Sequence, residues 1–165
     1  MKGIADGIFP LRVTHNDTKL SNIMLDDIIG EGVCVIDLDT VMPGSALGNF
    51  GDAIRFGTSS AAEDEMDVDK VYLRLDSFDA FTDGFIVGLG GALTEHELRS
   101  LPMGVWMLTF ETGIRFLGDY LNEDTCFRTH YPTRNLDRAR NQFKPAADIQ
   151  QKMSELEKIM EKYIR

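Results

Sequence analysis

The chain reads as an α+β protein, mostly helical, and three features of its pattern lead there. β-prone runs such as "LRVT" and "VCVIDLD" are confined to the early part of the chain. Long stretches with apolar residues three and four apart fill the rest. Strand-like and helix-like segments do not alternate, so neither a βαβ winding nor an internal repeat is expected. At 165 residues the chain is long enough for a single domain with a real core.

Taken in order, Leu11–Thr14 is a short strand. Ile23 to Asp39 forms a hairpin, with "DDIIGEG" at the turn and "VCVIDLD" as a buried return strand. Cys34, inside that strand, is expected to be a small core residue. "VMPGSALGNFG", with one Pro and three Gly, reads as loop. Asp52 then stands where an N-cap would stand, ahead of "AIRFGTS". "SSAAEDEMDVD" reads as a solvated acidic loop.

The remainder is helical. "DKVYLRLDSFDAFTDGFIVGL" places Val71, Leu75, Phe78, Phe81 (or Ala80) and Phe85 at helical spacing, and "GLGGAL" reads as that helix's C-terminus. Thr94-x-x-Glu97 is a capping box opening the next helix. Pro102 is expected to split that helix or to start a second one. Val105, Leu108, Ile114, Leu117 and Leu121 make its apolar face. "NEDTCFRTHYPTRN" is irregular, with His130, Tyr131 and Arg134 on a pocket loop or a surface turn, the latter favoured. Asn135 to Arg165 is helical with a break before Pro145. Met153, Leu156, Met160 and Tyr163 form one stripe at its end.

Composition narrows the function. A hydrophobic share of 43% and a charged share of 27% are ordinary for a globular chain. A net charge of −10 argues against nucleic acid or an anionic membrane as main partner. Cys34 and Cys126 stand outside any C-x-x-C pair, which points to a reducing compartment without a disulfide framework. No apolar run reaches the roughly 18–20 residues of a membrane span. "MKGIADGIF" lacks a secretory apolar region, so the cytoplasm is the default location.

The chemistry concentrates in "THNDTKLSN". His15, Asp17, Lys19 and Asn22 crowd together, and Asp37 follows Asn22 by fifteen residues across the hairpin. Phosphoryl transfer needs a carboxylate to take the proton of an attacking hydroxyl, oxygen ligands for Mg²⁺, and a cation on the transferring group. Asp17 can be the base and Lys19 the cation. Asn22 and Asp37 offer an amide and a carboxylate oxygen to Mg²⁺. The hairpin would bring these two ligands close.

"HNDTKLSN" resembles the protein-kinase catalytic loop H-R-D-L-K-P-E-N at His, Asp, Lys and Asn. "IDLD" resembles the metal-binding strand end of the aminoglycoside phosphotransferase and choline kinase superfamily. "FGDAIRF" resembles that superfamily's Asp before its next helix. The wording from Leu11 to Phe143, with "ETGIRFLGDYL" in it, is most similar to the N-acetylhexosamine 1-kinases, which also carry the label mucin-desulfating protein.

The resemblance implies the C-terminal, large lobe of a protein-kinase-like fold, with a β-hairpin carrying the metal site. It implies transfer from ATP, with Mg²⁺, to the anomeric hydroxyl of an N-acetylhexosamine. Asp17 would be the base, Lys19 would touch the γ-phosphate, and Asn22 and Asp37 would bind Mg²⁺. His15 would brace the loop. Asp39 is either a metal-proximal carboxylate or a turn former. Asp52 is a cap or loop brace, and Arg55 a structural ion-pair partner. Glu111 and Arg115 either hydrogen-bond the sugar or pair with each other along their helix.

Alternatives remain at this level. Aminoglycoside, choline or homoserine could be the acceptor, although one Trp and four Tyr do not readily make a choline cage. A non-catalytic, pseudokinase-like binding module is a further reading. A sulfatase is not, since "CVIDL" and "CFRTH" lack the C/S-x-P-x-R context of a formylglycine site. The family's small N-terminal lobe, with its sheet, phosphate-covering loop and Lys–Glu pair, has no counterpart in the residues before His15, and "GLGGAL" lies too far downstream to replace it. Met1 is therefore read as an engineered start or that of a truncated product, and the lobe alone is expected to bind Mg-ATP weakly and be close to inactive.

Overall fold

The protein is described here by a computed structural model covering residues 7–164. Met1 and Arg165 lie outside the described residues.

Two small antiparallel ladders precede the helices. Strand β1 (Arg12–Thr14) pairs with β4 (Met42–Gly44), Arg12 opposite Gly44 and Thr14 opposite Met42. Between them projects the hairpin of β2 (Ile23–Leu25) and β3 (Gly32–Val35), with an irregularity after Met24. Its turn is closed by Asp26, whose Oδ1 accepts the N–H groups of Ile28 and Ile29 at 2.8 and 3.0 Å. Residues 42–44 were expected as loop. They form a strand because β1 supplies a ladder, and Pro43 is tolerated there because each sheet has only two strands and therefore only edges.

Helix α1 (Ala46–Gly57) is capped by Ser45, whose hydroxyl accepts the Leu47 N–H at 3.2 Å. Asp52 therefore lies mid-helix and is not its cap. Helix α2 (Leu75–Leu89) ends at Gly90, which takes the left-handed conformation at φ +56°. Helix α3 (Glu95–Leu121) opens with the expected capping box: Glu97 accepts the Thr94 N–H at 2.8 Å and donates its own N–H to the Thr94 hydroxyl at 3.2 Å. Arg12 adds two contacts of 2.7 Å to the Glu97 carboxylate, joining β1 to this helix start.

Two expected breaks do not occur. Pro102 sits inside the unbroken α3, and Pro145 inside α4 (Arg134–Gln151); the chain breaks instead at Lys152, before α5 (Met153–Met160). Each proline forfeits one backbone hydrogen bond, but each is buried, so tertiary packing keeps the helix continuous.

Helix α3 is the axis of the molecule, packed on α1 and α4. The core joins Leu47, Phe50 and Ile54 of α1 to Leu73, Phe78, Leu101, Val105, Ile149, Leu156 and Met160. Phe50 packs against the rings of Phe78, Phe81 and Phe85. The buried stripe of α3 runs through Leu101, Val105, Thr109, Gly113 and Phe116. The expected apolar face was rotated from this one, since Ile114 is 51% and Leu121 72% exposed. Small residues mark the true face because α1 and α4 approach closely there. A Cβ on Gly51 would stand 2.4 Å from the Gly104 carbonyl oxygen, and one on Gly104 2.5 Å from that of Leu47.

Cys34 is exposed, not a core residue. Ile23, Leu25, Val33 and Val35 of the same hairpin are exposed too, so both faces of this apolar ribbon lie open among the described residues. No described helix is long and apolar enough to cross a membrane.

Gly104→Ala tests the α1–α3 crossing. Alanine gains roughly 1 kcal/mol of helix propensity, but a side chain forced onto backbone cannot rotate away. A net loss of about 2 kcal/mol is expected in urea unfolding. Gly118→Ala, with nothing within 4 Å, should be neutral or stabilising. Equal behaviour of the two variants would show that the crossing tolerates separation.

Candidate functional site

The segment between β1 and β2 is held against α1 by two side chains. Asn49 Oδ1 accepts the N–H groups of His15 and Asn16 at 3.1 and 3.2 Å. Asp52 Oδ2 accepts the Thr18 N–H at 2.9 Å, and its Oδ1 accepts from Arg55 at 3.0 Å. Asp52 thus braces the loop.

His15 ties the loop to the far side of the hairpin. Its Nε2 lies 3.0 Å from the Ile36 carbonyl, which only accepts, so Nε2 carries the proton. Its carbonyl receives the Thr40 hydroxyl at 2.6 Å. Nδ1 is buried with no partner among the described residues.

Asp17 sits at the centre. Lys19 Nζ is 2.8 Å from its Oδ1, and Asn22 Nδ2 is 3.1 Å from its Oδ2. Burial pushes the Asp17 carboxyl up, but the Lys19 hydrogen bond and charge, the Asn22 hydrogen bond and the charge of His15 together hold it below the usual carboxylate range.

Asn22 is buried in a single 3-10 turn, Leu20–Asn22. Its Nδ2 is spent on Asp17, leaving Oδ1 with no donor among the described residues. Its backbone carbonyl accepts the Ile36 N–H at 2.9 Å, and Asp37 is the next residue along the chain. Asp37 is in the left-handed conformation at φ +61°, exposed, and makes no side-chain contact with a described donor. Asp39 follows on the turn Leu38–Thr40, also exposed, and neither Asp37 nor Asp39 lines either of the cavities at Asp17.

Among the described residues no three His, Cys, Asp or Glu side chains cluster closely enough to cage a metal. An amide oxygen and a carboxylate, both free of donors among the described residues, nonetheless suit Mg²⁺, which takes few protein ligands and fills its shell with water and phosphate oxygens.

Two cavities meet at Asp17 and Lys19. One, about 350 Å³, runs under the hairpin between Ile23, Val35, Phe81 and Phe85. The other, about 460 Å³, is polar and walled by Asp52, Arg55, Glu63, Glu111, Arg115, Phe127 and Arg138. A larger cavity near Leu93 and Tyr163 touches no residue of the loop.

Glu111 and Arg115 stand at the rim of the polar cavity. The alternative that they pair with each other is overturned: neither makes an ion pair among the described residues, and Arg115 lies 5.5 Å from the Phe127 ring. Arg55 is the structural partner expected, bonded to Asp52 and Glu63. His130 is exposed, Tyr131 lines neither cavity, and Arg134 bonds Asp64 and the Arg128 carbonyl, as a surface turn would. Sequence reasoning missed Asn49, Glu63, Phe127 and Arg138. Only the helical spacing of Arg134, Arg138 and Asn141 hinted that something polar lies along α4.

Residues 7–80 match the family model described as the phosphotransferase enzyme family, APH. The match supports phosphotransferase chemistry on small molecules. It takes in the loop, the hairpin and α1, while Glu111 and Arg115 lie beyond it.

Removing the Lys19 cation leaves burial opposed mainly by Asn22, so Lys19→Met should raise the Asp17 pKa. A folded pKa below the unfolded one stabilises the fold above that unfolded value, and the contribution is lost as pH falls through the folded one. The variant should therefore lose less stability on acidification. Carboxyl ¹³C NMR titration of Asp17 checks the shift, and an unmoved titration would show that Lys19 does not hold the carboxylate.

Proposed function

We propose that the chain is the catalytic lobe of an ATP- and Mg²⁺-dependent small-molecule kinase, with the anomeric hydroxyl of an N-acetylhexosamine as its acceptor. The observation that carries this reading is the place of Asp17, an ionised carboxylate at the meeting of two cavities.

Asp17 would accept the proton of the acceptor hydroxyl as the oxygen attacks the γ-phosphate. Lys19 would turn from Asp17 to that phosphate. Losing this partner raises the Asp17 pKa, so the base strengthens when nucleotide is in place. Asn22 Oδ1 and Asp37 would hold Mg²⁺, with Asp39 a further candidate nearby; the ion supplies neutralising charge at the transferring group. His15 would keep loop and hairpin in register.

The charge of the polar cavity supports the sugar over a cationic acceptor. Lys19, Arg55, Arg115 and Arg138 balance Asp17, Asp52, Glu63 and Glu111. An aminoglycoside or choline site calls for an excess of carboxylate or aromatic surface. Glu111 and Arg115, without ion-pair or hydrogen-bond partners among the described residues, would hydrogen-bond sugar hydroxyls, and Phe127, beneath Arg115, adds apolar surface to the wall.

The open apolar hairpin supports a covering partner, the small N-terminal lobe that such kinases carry. Two exposed thiols without a disulfide are in keeping with a reducing cytoplasm.

The test is ADP release with Mg-ATP from the chain joined to its small lobe, across N-acetylglucosamine, N-acetylgalactosamine, choline, homoserine and an aminoglycoside. Turnover is expected on the amino sugars, with Asp17→Asn lowering kcat by about 10²–10⁴. Turnover on another acceptor would overturn the sugar assignment, and none on any would overturn the kinase reading.

A further inference from the structure

The acidic segment between α1 and α2 was expected to be a solvated loop. It is a strap fastened along one face of α4. Arg134 bonds Asp64 at 3.2 Å, and Arg138 bonds Glu63. Asn141 Nδ2 donates to the carbonyls of Ala62 and Glu65 at 3.0 and 3.1 Å. Lys144 bonds Asp69 at 3.0 Å, and Asp148 accepts the Leu73 N–H at 2.9 Å. These α4 positions recur every three or four residues, one face of a helix.

The fastenings are unequal. The Lys144–Asp69 pair is in solvent and contributes little, with Asp69 87% exposed. Glu63 turns inward and serves two guanidinium groups whose side chains are only 6% (Arg55) and 14% (Arg138) exposed. Arg138 stacks 3.7 Å over the Phe116 ring, on the wall of the polar cavity. Arg55 continues to Asp52, and Asp52 to the Thr18 N–H beside Asp17. Four contacts therefore join the cavity wall to the catalytic loop.

Without Glu63, Arg55 keeps Asp52, but among the described residues Arg138 keeps a single hydrogen-bond acceptor, the Asn135 amide oxygen at 3.3 Å, beside its ring contact with Phe116. A guanidinium so enclosed without a counter-charge is costly and will seek another acceptor. The open space beside it is the cavity.

We propose that Glu63 is a positioning residue for the acceptor: it holds Arg138 against the wall, keeps the cavity charge-balanced, and ties that wall to the Asp17 loop. This rests on reading the polar cavity as the acceptor site.

The experiment compares Glu63→Gln, Glu63→Asp and Asp69→Asn in the enzyme with its small lobe, using N-acetylglucosamine and Mg-ATP. Glu63→Gln should raise the acceptor KM about tenfold or more and leave the Mg-ATP KM within about twofold. Glu63→Asp should recover part of the loss, and Asp69→Asn should change neither constant. An unchanged acceptor KM in Glu63→Gln, an equal rise for both substrates, or the same effect from Asp69→Asn would overturn the proposal. The ¹⁵N amide spectrum is recorded in parallel and needs no turnover. Glu63→Gln should move the Thr18 amide and Asp69→Asn should not. If wild type turns over no acceptor, a moved Thr18 amide upholds the coupling while the kinase reading fails, and an unmoved one overturns the coupling as well.

Discussion

Two side chains three residues apart on α1, Asn49 and Asp52, take up three backbone donors of the loop between β1 and β2, the N–H groups of His15, Asn16 and Thr18, and the Asn49 carbonyl accepts the Thr18 hydroxyl. A loop has no ladder of its own to satisfy its backbone, so these acceptors decide its path. Helix α1 is in turn fixed against α3 by the glycine crossing, where backbone meets backbone. The position of Asp17 is thus inherited from helix packing. A change at Gly104, remote in sequence from the loop, would be felt there through α1.

On that frame the electrostatics are local. Asp17 keeps its charge although half-buried, because Lys19 and Asn22 outweigh desolvation. Asn22 spends its amide hydrogens on Asp17, while its backbone carbonyl accepts the Ile36 N–H and His15 holds the Ile36 carbonyl, so the same loop fixes the end of β3. Asn16 and Asp37, both at positive φ without being glycine, flank this arrangement. Short polar side chains tolerate that conformation better than branched or bulky ones do.

The sequence disclosed what depends on neighbours along the chain. The hairpin, the Thr94–Glu97 capping box and the Gly90 helix end follow from local chemistry, and the spacing of His15, Asp17, Lys19 and Asn22 stands out because such residues rarely crowd without cause. What depends on distant partners was hidden. Pro102 and Pro145 look like breaks until burial outweighs one lost hydrogen bond each. The buried stripe of α3 is marked by Thr109 and Gly113, which a count of aliphatic residues passes over. Asp52 resembles a cap because its true partner, the Thr18 N–H, lies on another element. Glu63 looks like one solvated acid among several because its basic partners, Arg55 and Arg138, lie on two separate helices. Cys34 looks buried because β-branched neighbours usually are, and here no described element covers them.

The site proposed for Mg²⁺ beside Asp17 comprises Asn22 and Asp37. Its most direct measurement is paramagnetic broadening by Mn²⁺ with ATP in the ¹⁵N spectrum of the protein. The strongest broadening is expected at the Asn22 side-chain amide and the Asp37 backbone amide, fading toward Ile28 and Ile29 at the hairpin tip. Broadening centred on the acidic strap from Glu65 to Asp69, or spread evenly over the acidic surface, would contradict it.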